Sequence, residues 1–209
     1  LYIPAPWLKK GENEVVVFEM EDTGKRNLQG LDKPILDSLG IDKNKPEKQQ
    51  RNQTGSPILE EGDILLNTTL AETSDWQQVD LPVVSTLRHF CIETLSSYTE
   101  DNQACISEVD LLDDKGHPID KTKWEVVYVS SEQADKNLGI AENLFDGDIS
   151  SFWHTDPATE PGQPHRIIVD IKEIYKISAL RFKVRKGAFL SGKVKEINVY
   201  GRPQFFLFH

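Results

Sequence analysis

The chain has 209 residues, which is enough for one large domain or for a domain of about 150 residues with a further segment. Its 24 Lys and Arg residues are outnumbered by 34 Asp and Glu residues, and the resulting net charge of −10 argues against a nucleic-acid partner, because an acidic surface repels phosphate. No run approaches the roughly 20 apolar residues that a membrane-spanning helix needs, so we expect no membrane span.

The N-terminal quarter of the chain predicts two strands followed by a polar connector. The strands LYIPAPWL and EVVVFEM flank the turn KKGEN, and residues 31–41 predict one further short turn of helix or strand. Residues 44–57 have almost no apolar side chains, which is typical of a linker. We therefore predict a terminal strand pair within 1–43, a linker at 44–62 and the main domain at 63–209.

The main domain shows short apolar runs separated by turns and no long helical periodicity. In one run Leu180, Phe182 and Val184 alternate with basic residues, the period of a half-buried strand. About eight such strands favour an all-β fold, a β-sandwich. The predicted strands are 63–70, 75–82, 87–95, 106–113, 124–131, 165–171, 177–185 and 194–201.

Two cysteines, Cys91 and Cys105, lie in or beside apolar runs. They predict buried free thiols, with a single disulfide as the alternative in an oxidising compartment. The absence of a CxxC motif and of a Cys/His cluster gives no signal for zinc or redox chemistry.

One loop-like segment, 135–155, interrupts the strand pattern and concentrates oxygen-bearing side chains. Calcium takes six to eight oxygen ligands from carboxylates, hydroxyls and carbonyls on a tightly curved chain, and Gly147 permits such curvature. The alternative is a loop of Asx turns with Asp caps and no ion. The polar residues within nine positions are Asn143, Asp146, Asp148, Ser150 and Ser151.

The same segment, NLFDGDISSFWHT, resembles the hallmark loop of the coagulation factor V/VIII type C (discoidin) fold, which includes carbohydrate-binding module family 32. The runs PHRIIVDI, ISALRFKVR and ISEVDLLDDKGHPI also resemble segments of that family. The similarity covers about residues 85–201, and it implies a discoidin, galactose-binding-like jelly-roll sandwich. The segment ISEVDLL precedes the loop here, whereas most members have it at the C-terminus, so the order is permuted.

The resemblance implies a structural calcium ion and a set of ligands for it. By position, Asn143 and Asp148 would supply carbonyl oxygens, Asp146 a carboxylate, and Ser151 a hydroxyl in place of the usual Thr. Glu108 would supply a second carboxylate.

Four residues are candidates for contacting a sugar. Arg185 and Phe189 share one loop, where an arginine beside an aromatic platform suits saccharide hydroxyls, and a plain solvated loop is the alternative. His154 is a candidate contact or a satisfied hydrogen-bonding residue. Trp153 is either a sugar contact or a core residue, since an aromatic after a tight loop often fills a sandwich.

The N-terminal run LYIPAPWLKKGENEVVVFE resembles the closing strands of the jelly-roll domain in family 35 glycoside hydrolases, the β-galactosidases, and LDKPILDSL is similar to their tails. The resemblance implies that residues 1–43 end a preceding jelly-roll domain and that a catalytic barrel lies upstream in the parent chain. The chain starts without an initiator Met or signal peptide, as expected for a C-terminal piece. It contains no recognisable catalytic motif, so we expect no catalysis by this part.

These observations together predict a non-catalytic carbohydrate-binding region of a periplasmic or extracellular β-galactosidase-type enzyme. Its expected partners are a galactose-type glycan and the upstream catalytic domain. The alternative is a structural domain that braces the barrel or mediates oligomerisation without sugar affinity. A protein ligand is a third hypothesis, for which no sequence feature speaks.

Overall fold

The computed structural model describes residues 55–99, 101–134, 139–158, 162–185 and 191–208, all within one compact unit, Gln49–His209. The predicted strand pair and its tail at 1–43, most of the linker and Phe189 lie outside the described residues. The division into domains therefore stays a prediction.

The described chain is all-β, as predicted. Eight strands form antiparallel pairs, and the short helical pieces are two 3-10 turns at Glu61–Asp63 and Ala141–Leu144. The strands are β1 Ile64–Thr69, β2 Trp76–Ser97, β3 Cys105–Ile106, β4 Glu108–Asp113, β5 Glu125–Val129, β6 Trp153–His154, β7 His165–Lys183 and β8 Val194–Arg202.

Two long strands, β2 and β7, carry the sandwich. One half of their pairing is flanked by β8 and β1 on one side and by β5 on the other, giving the order β1-β8-β2-β7-β5. In the other half, residues 76–80 of β2 pair with 179–183 of β7, and β4 joins that edge. Register shifts in β2 between Asp80 and Ser85 and between Leu87 and His89 mark the change from one half to the other.

The core of the sandwich is formed by every second side chain along the strands. The predicted inward residues Leu180, Phe182 and Val184 are buried, and their basic neighbours are half-buried. Burying each large apolar side chain contributes roughly 1.5–3 kcal/mol. Other fully buried members include Phe90, Ile92, Val109, Leu111, Ile167, Val169, Ile197 and Val199.

The two cysteines are free and buried, which confirms the prediction of thiols. Burial raises the pKa of the Cys105 thiol to about 12, and burial likewise raises the pKa of Cys91. Both side chains are therefore neutral packing groups at neutral pH.

Residues from the end of the predicted linker are ordered against the C-terminus. Pro57 forms a bridge with Phe208, and the backbone N–H of Ile58 donates to the carbonyl of Leu207 over 2.8 Å. The described chain therefore enters the sandwich beside its own last residues.

Loops from distant parts of the chain meet at one end of the long strands. Lys183, at the end of β7, pairs in register with Glu108, and its carbonyl accepts a hydrogen bond from the backbone N–H of Ser107 over 2.8 Å. The short pair of β3 with β6 joins Cys105 to His154 and Ile106 to Trp153. This end of the sandwich holds most of the predicted site residues.

Candidate functional site

The acidic loop between β5 and β6 is shaped by two Asx turns around a left-handed glycine. Gly147 has φ +83°, and the backbone N–H of Asp148 donates to Asp146 Oδ1 over 2.7 Å. Asp148 Oδ1 accepts from the backbone N–H of Ser150 over 2.9 Å and from its hydroxyl, and these bonds lower the pKa of Asp148. The loop thus places the carboxylates of Asp146 and Asp148 on one tight bend.

Oxygen atoms converge on the hydroxyl of Ser151. Its Oγ lies 2.8 Å from Asp146 Oδ2, 2.9 Å from the carbonyl of Asp148 and 3.4 Å from the carbonyl of Asn143. A hydroxyl has one proton to donate, so it can serve only one of these three acceptors at a time. An acceptor-rich cluster of this kind suits a hard cation better than a proton donor.

Glu108 comes to this loop from the start of β4. Its carboxylate is buried. Oε1 accepts a hydrogen bond from the ammonium of Lys121 and lies 3.4 Å from the backbone N–H of Gly147, which also donates to it. Oε2 is buried and makes no hydrogen bond. Burial raises the pKa of Glu108, the pairing with Lys121 opposes this, and the charge of Asp146 adds to the increase.

The structure therefore brings the predicted cation ligands together, although Glu108 precedes Gly147 by 39 residues. Within the described ranges no three side chains of His, Cys, Asp or Glu form a cluster of metal-binding type. The candidate site instead combines the carboxylates of Asp146 and Glu108 with carbonyl and hydroxyl oxygens. The orphaned Oε2 and the crowded Ser151 hydroxyl both fit a divalent ion.

Next to the acidic loop, an arginine lies over an aromatic ring. The guanidinium carbon of Arg185 is 3.7 Å from the centroid of Phe152, and both residues are half-buried. The side-chain amide of Asn143 donates to the carbonyl of Phe152 over 3.0 Å. The loop that carries the candidate cation ligands therefore also positions the ring beneath Arg185.

Sequence reasoning missed Phe152, because the family pattern allows any residue between the Ser/Thr and the Trp. The only available signal was its place in the motif. The partner named for Arg185 was Phe189, which lies outside the described residues.

His154 is buried and hydrogen-bonded at both ring nitrogens. Nε2 lies 2.9 Å from the hydroxyl of Ser191, and Nδ1 meets the carbonyl of Thr155. Burial lowers the pKa of His154, and the nearby charge of Arg185 lowers it further. The structure favours the alternative of a satisfied hydrogen-bonding residue. One of its partners is the hydroxyl of Ser191.

Trp153 has no exposed surface, and its indole N–H donates to the carbonyl of Ser131 over 3.0 Å. A fully enclosed indole cannot stack on a sugar that arrives from solvent. The assignment of Trp153 as a sugar contact is therefore corrected to a core residue.

Arg185 also borders a polar pocket of about 200 Å³. Lys193 and Glu72, which form an ion pair of 3.0 Å, line this pocket together with Thr73 and Tyr98. The pocket was not predicted, because its walls come from segments more than 100 residues apart, as the 121-residue separation of Glu72 from Lys193 shows.

Comparison with known proteins assigns a family to part of this fold. Residues 126–204 match the F5/8 type C domain, so an F5/8 type C (discoidin) domain is present in this region. The six-stranded sheet also includes β1, β2 and β4, which precede the matched range.

The chain is also similar to a sialidase from Micromonospora viridifaciens, with 33% identity over 84 residues. That alignment covers 39% of this chain and 13% of the sialidase. In the described residues no helix has the length and apolarity to cross a membrane.

Proposed function

We propose that the sandwich is a non-catalytic carbohydrate-binding domain that recognises galactose-type glycans. The observation that carries the proposal is the Arg185–Phe152 pair, held at one end of the strands by the acidic loop. A guanidinium offers several donors in a fixed plane, which suits vicinal hydroxyls, and an aromatic ring beside it suits the apolar face of a sugar. The F5/8 type C match and the similarity to a sialidase support this choice of ligand class.

The neighbouring pocket supplies room for a saccharide beside Arg185. Its wall presents the ammonium of Lys193, the carboxylate of Glu72 and the hydroxyl group of Thr73. Few and well-placed polar groups around a concave surface are typical of small-ligand sites. Trp153 and His154 are buried and do not line this pocket.

We propose further that a calcium ion occupies the acidic loop. Asn143 and Asp148 would contribute carbonyl oxygens, Asp146 and Glu108 carboxylates, and Ser151 its hydroxyl. The ion would supply positive charge to a cluster of oxygen acceptors that has too few hydrogen-bond donors within the chain. Its role would be structural, since the same loop fixes Phe152 through Asn143.

The parent protein is proposed to be a secreted glycoside hydrolase of the β-galactosidase type, with its catalytic domain upstream. This rests on the resemblance of residues 1–19 to family 35 enzymes and on the similarity of 84 residues of the chain to part of a sialidase. An extracellular or periplasmic location follows from the same argument.

The test is calorimetric titration of the full chain with galactose-containing oligosaccharides in calcium buffer. Arg185→Ala should weaken binding at least about tenfold, since a lost hydrogen bond to a charged group costs about 1.5–3 kcal/mol. Lys176→Ala is the matched control, because Lys176 is an exposed cation opposite Thr86 in the middle of the long strands and should leave binding unchanged. Absence of binding to all galactose-type glycans, or full binding by Arg185→Ala, would contradict the proposal.

A bracing or oligomerising domain is the second candidate function. It is favoured by the enclosure of Trp153 and His154, which leaves Arg185 as the one predicted sugar contact that is partly exposed in the described residues. Comparison of the parent enzyme with and without this region separates the two. A binding domain should change activity on polymeric substrate only, whereas a brace should change stability and activity on soluble and polymeric substrates alike.

A further inference from the structure

The ammonium of Lys121 is bound at the carboxylate that the proposed cation would use. Besides Glu108 Oε1, it donates to Asp110 Oδ1 over 2.7 Å and lies 3.3 Å from the carbonyl of Val109. Its side chain is only 18% exposed, against 2% for Glu108. All three ammonium hydrogens therefore have acceptors within the protein.

The two carboxylates that share Lys121 do not depend on it equally. Asp110 has a second cation, because Arg181 pairs with its Oδ2. Glu108 has Lys121 as its sole cationic partner in the part of the chain that the structure describes. The charge of Asp146 also acts on Glu108, and it is a like charge.

From this arrangement we infer that Lys121 is a resident counter-ion that competes with the divalent cation at Glu108 and so limits the affinity of the acidic loop for calcium. The inference rests on the proposed cation site and concerns its regulation. A bound divalent ion at Glu108 Oε2 would face the ammonium on Oε1 of the same carboxylate, and like charges at that distance repel. Calcium affinity varies over orders of magnitude with the net charge of the ligand set, so neutralising one ligand weakens the site.

When calcium binds at Glu108, the ammonium of Lys121 still has hydrogen-bond acceptors. Lys121 can keep Asp110 and the carbonyl of Val109 while Glu108 turns to the cation. The chain can therefore fold with its own ammonium in place and exchange it for calcium when calcium is abundant.

The experiment is a titration of the full chain with calcium chloride by calorimetry, after treatment with EDTA and dialysis. Lys121→Met removes the ammonium and keeps the length of the side chain. We expect it to bind calcium about tenfold more tightly or better, in line with the dependence of affinity on ligand charge. Lys121→Arg retains a cation that can reach both carboxylates and should behave as the unchanged protein does.

Lys123→Met is the matched control on the same connection between β4 and β5. Lys123 is 71% exposed and pairs at 3.5 Å with the exposed Glu173, a contact of the kind that contributes little. Its removal should change calcium affinity by less than about threefold, since it touches neither Glu108 nor the loop.

The outcomes separate this inference from the proposals on which it depends. Equal or weaker calcium binding by Lys121→Met, with binding retained by the unchanged chain, overturns the competition and leaves the cation site standing. If Lys121→Met binds calcium and the unchanged chain does not, the competition is supported, and the proposal that calcium occupies the unchanged chain is overturned. No binding by either overturns both, while the oligosaccharide titration decides sugar recognition independently. If Lys121→Met unfolds in EDTA, circular dichroism should show refolding as calcium is added, and failure to refold contradicts the inference.

Discussion

Asp170 and Glu108 are both carboxylates buried in the same sandwich, yet their surroundings are opposite. Both oxygens of Asp170 are bonded: Oδ1 accepts from Arg88 Nε over 2.9 Å and from the backbone N–H of Lys172 over 2.7 Å. Oδ2 accepts from Arg88 Nη2 over 2.9 Å and from Lys172 Nζ over 3.2 Å. Burial favours a higher pKa, but these donors outweigh it and hold the pKa of Asp170 well below its ordinary value.

Glu108 is short of donors. Its Oε2 has no hydrogen bond, and burial outweighs Lys121 so that the pKa of Glu108 is raised. The fold therefore satisfies the buried carboxylate of Asp170 by itself, whereas Glu108 keeps an unbonded oxygen that another cation could use. Asp170 belongs to a finished ion pair, whereas Glu108 belongs to a site that an added ion would complete.

The largest effect is expected from Asp170→Asn, because it leaves the guanidinium of Arg88 without its charged partner. We expect a loss of about 3 kcal/mol in the free energy of unfolding at pH 7, measured by urea denaturation. Since the folded pKa is depressed, the stabilisation exists above the unfolded pKa of about 3.9 and is lost as the pH falls below it. The difference between variant and parent should therefore shrink at pH 2.5, and a constant difference would count against this interpretation of Asp170.

Removal of calcium is the next largest expected effect. A ligand at a hundredfold excess over its Kd stabilises the folded state by about 2.7 kcal/mol. Chelation should therefore lower the Tm by about 5–10 °C for a domain of this size. The same shift should persist in Asp170→Asn, because that carboxylate is complete without the ion, and an identical melting curve in EDTA and in calcium would contradict the proposed site.

A smaller effect is expected at a second completed carboxylate, Glu93. Its Oε2 accepts from the hydroxyl of Tyr200 over 2.9 Å and from Asn198 Nδ2 over 2.9 Å, and Arg166 pairs with Oε1. Tyr200→Phe removes one of these donors and should cost about 1 kcal/mol in the free energy of unfolding. The calcium-dependent shift in Tm should stay unchanged, and a loss of that shift would show that the two regions are coupled.

The smallest change in stability is expected for Glu108→Gln in EDTA. The substitution removes a buried charge that lacks a full set of donors, and Lys121 keeps Asp110, so we expect a change below about 1 kcal/mol. The calcium-dependent shift in Tm, however, should disappear. A large loss of stability in EDTA, together with an unchanged calcium-dependent shift in Tm, would show that Glu108 belongs to a complete ion pair and not to a cation site.

Much of the fold could be predicted from strand periodicity, and the errors in the predicted strand boundaries have a local cause. Alternation predicted the sandwich and its inward residues, including Phe182. The pairs of predicted strands 75–82 with 87–95 and 165–171 with 177–185 are each one continuous strand. Bulges interrupt the alternation in β2, and a positive φ at Lys172 interrupts it in β7, so one bent strand has the pattern of two.

The site was predictable only where its residues are close in sequence. Asn143, Asp146 and Ser151 share one loop, so their meeting follows from the bend at Gly147. Glu108 required the family resemblance. Lys121 could not have been found, because its place at Glu108 depends on how the connection after β4 folds back across the sheet, and no pattern of charges specifies that.

The most direct test of the proposed calcium site is a crystal structure of the full chain grown in calcium, with anomalous scattering measured at the acidic loop. We expect one ion bound by the carboxylates of Asp146 and Glu108, the carbonyls of Asn143 and Asp148 and the hydroxyl of Ser151, at about 2.3–2.6 Å. An ion-free loop in which Lys121 alone occupies Glu108, at calcium concentrations that saturate oxygen-ligated sites of this kind, would contradict it.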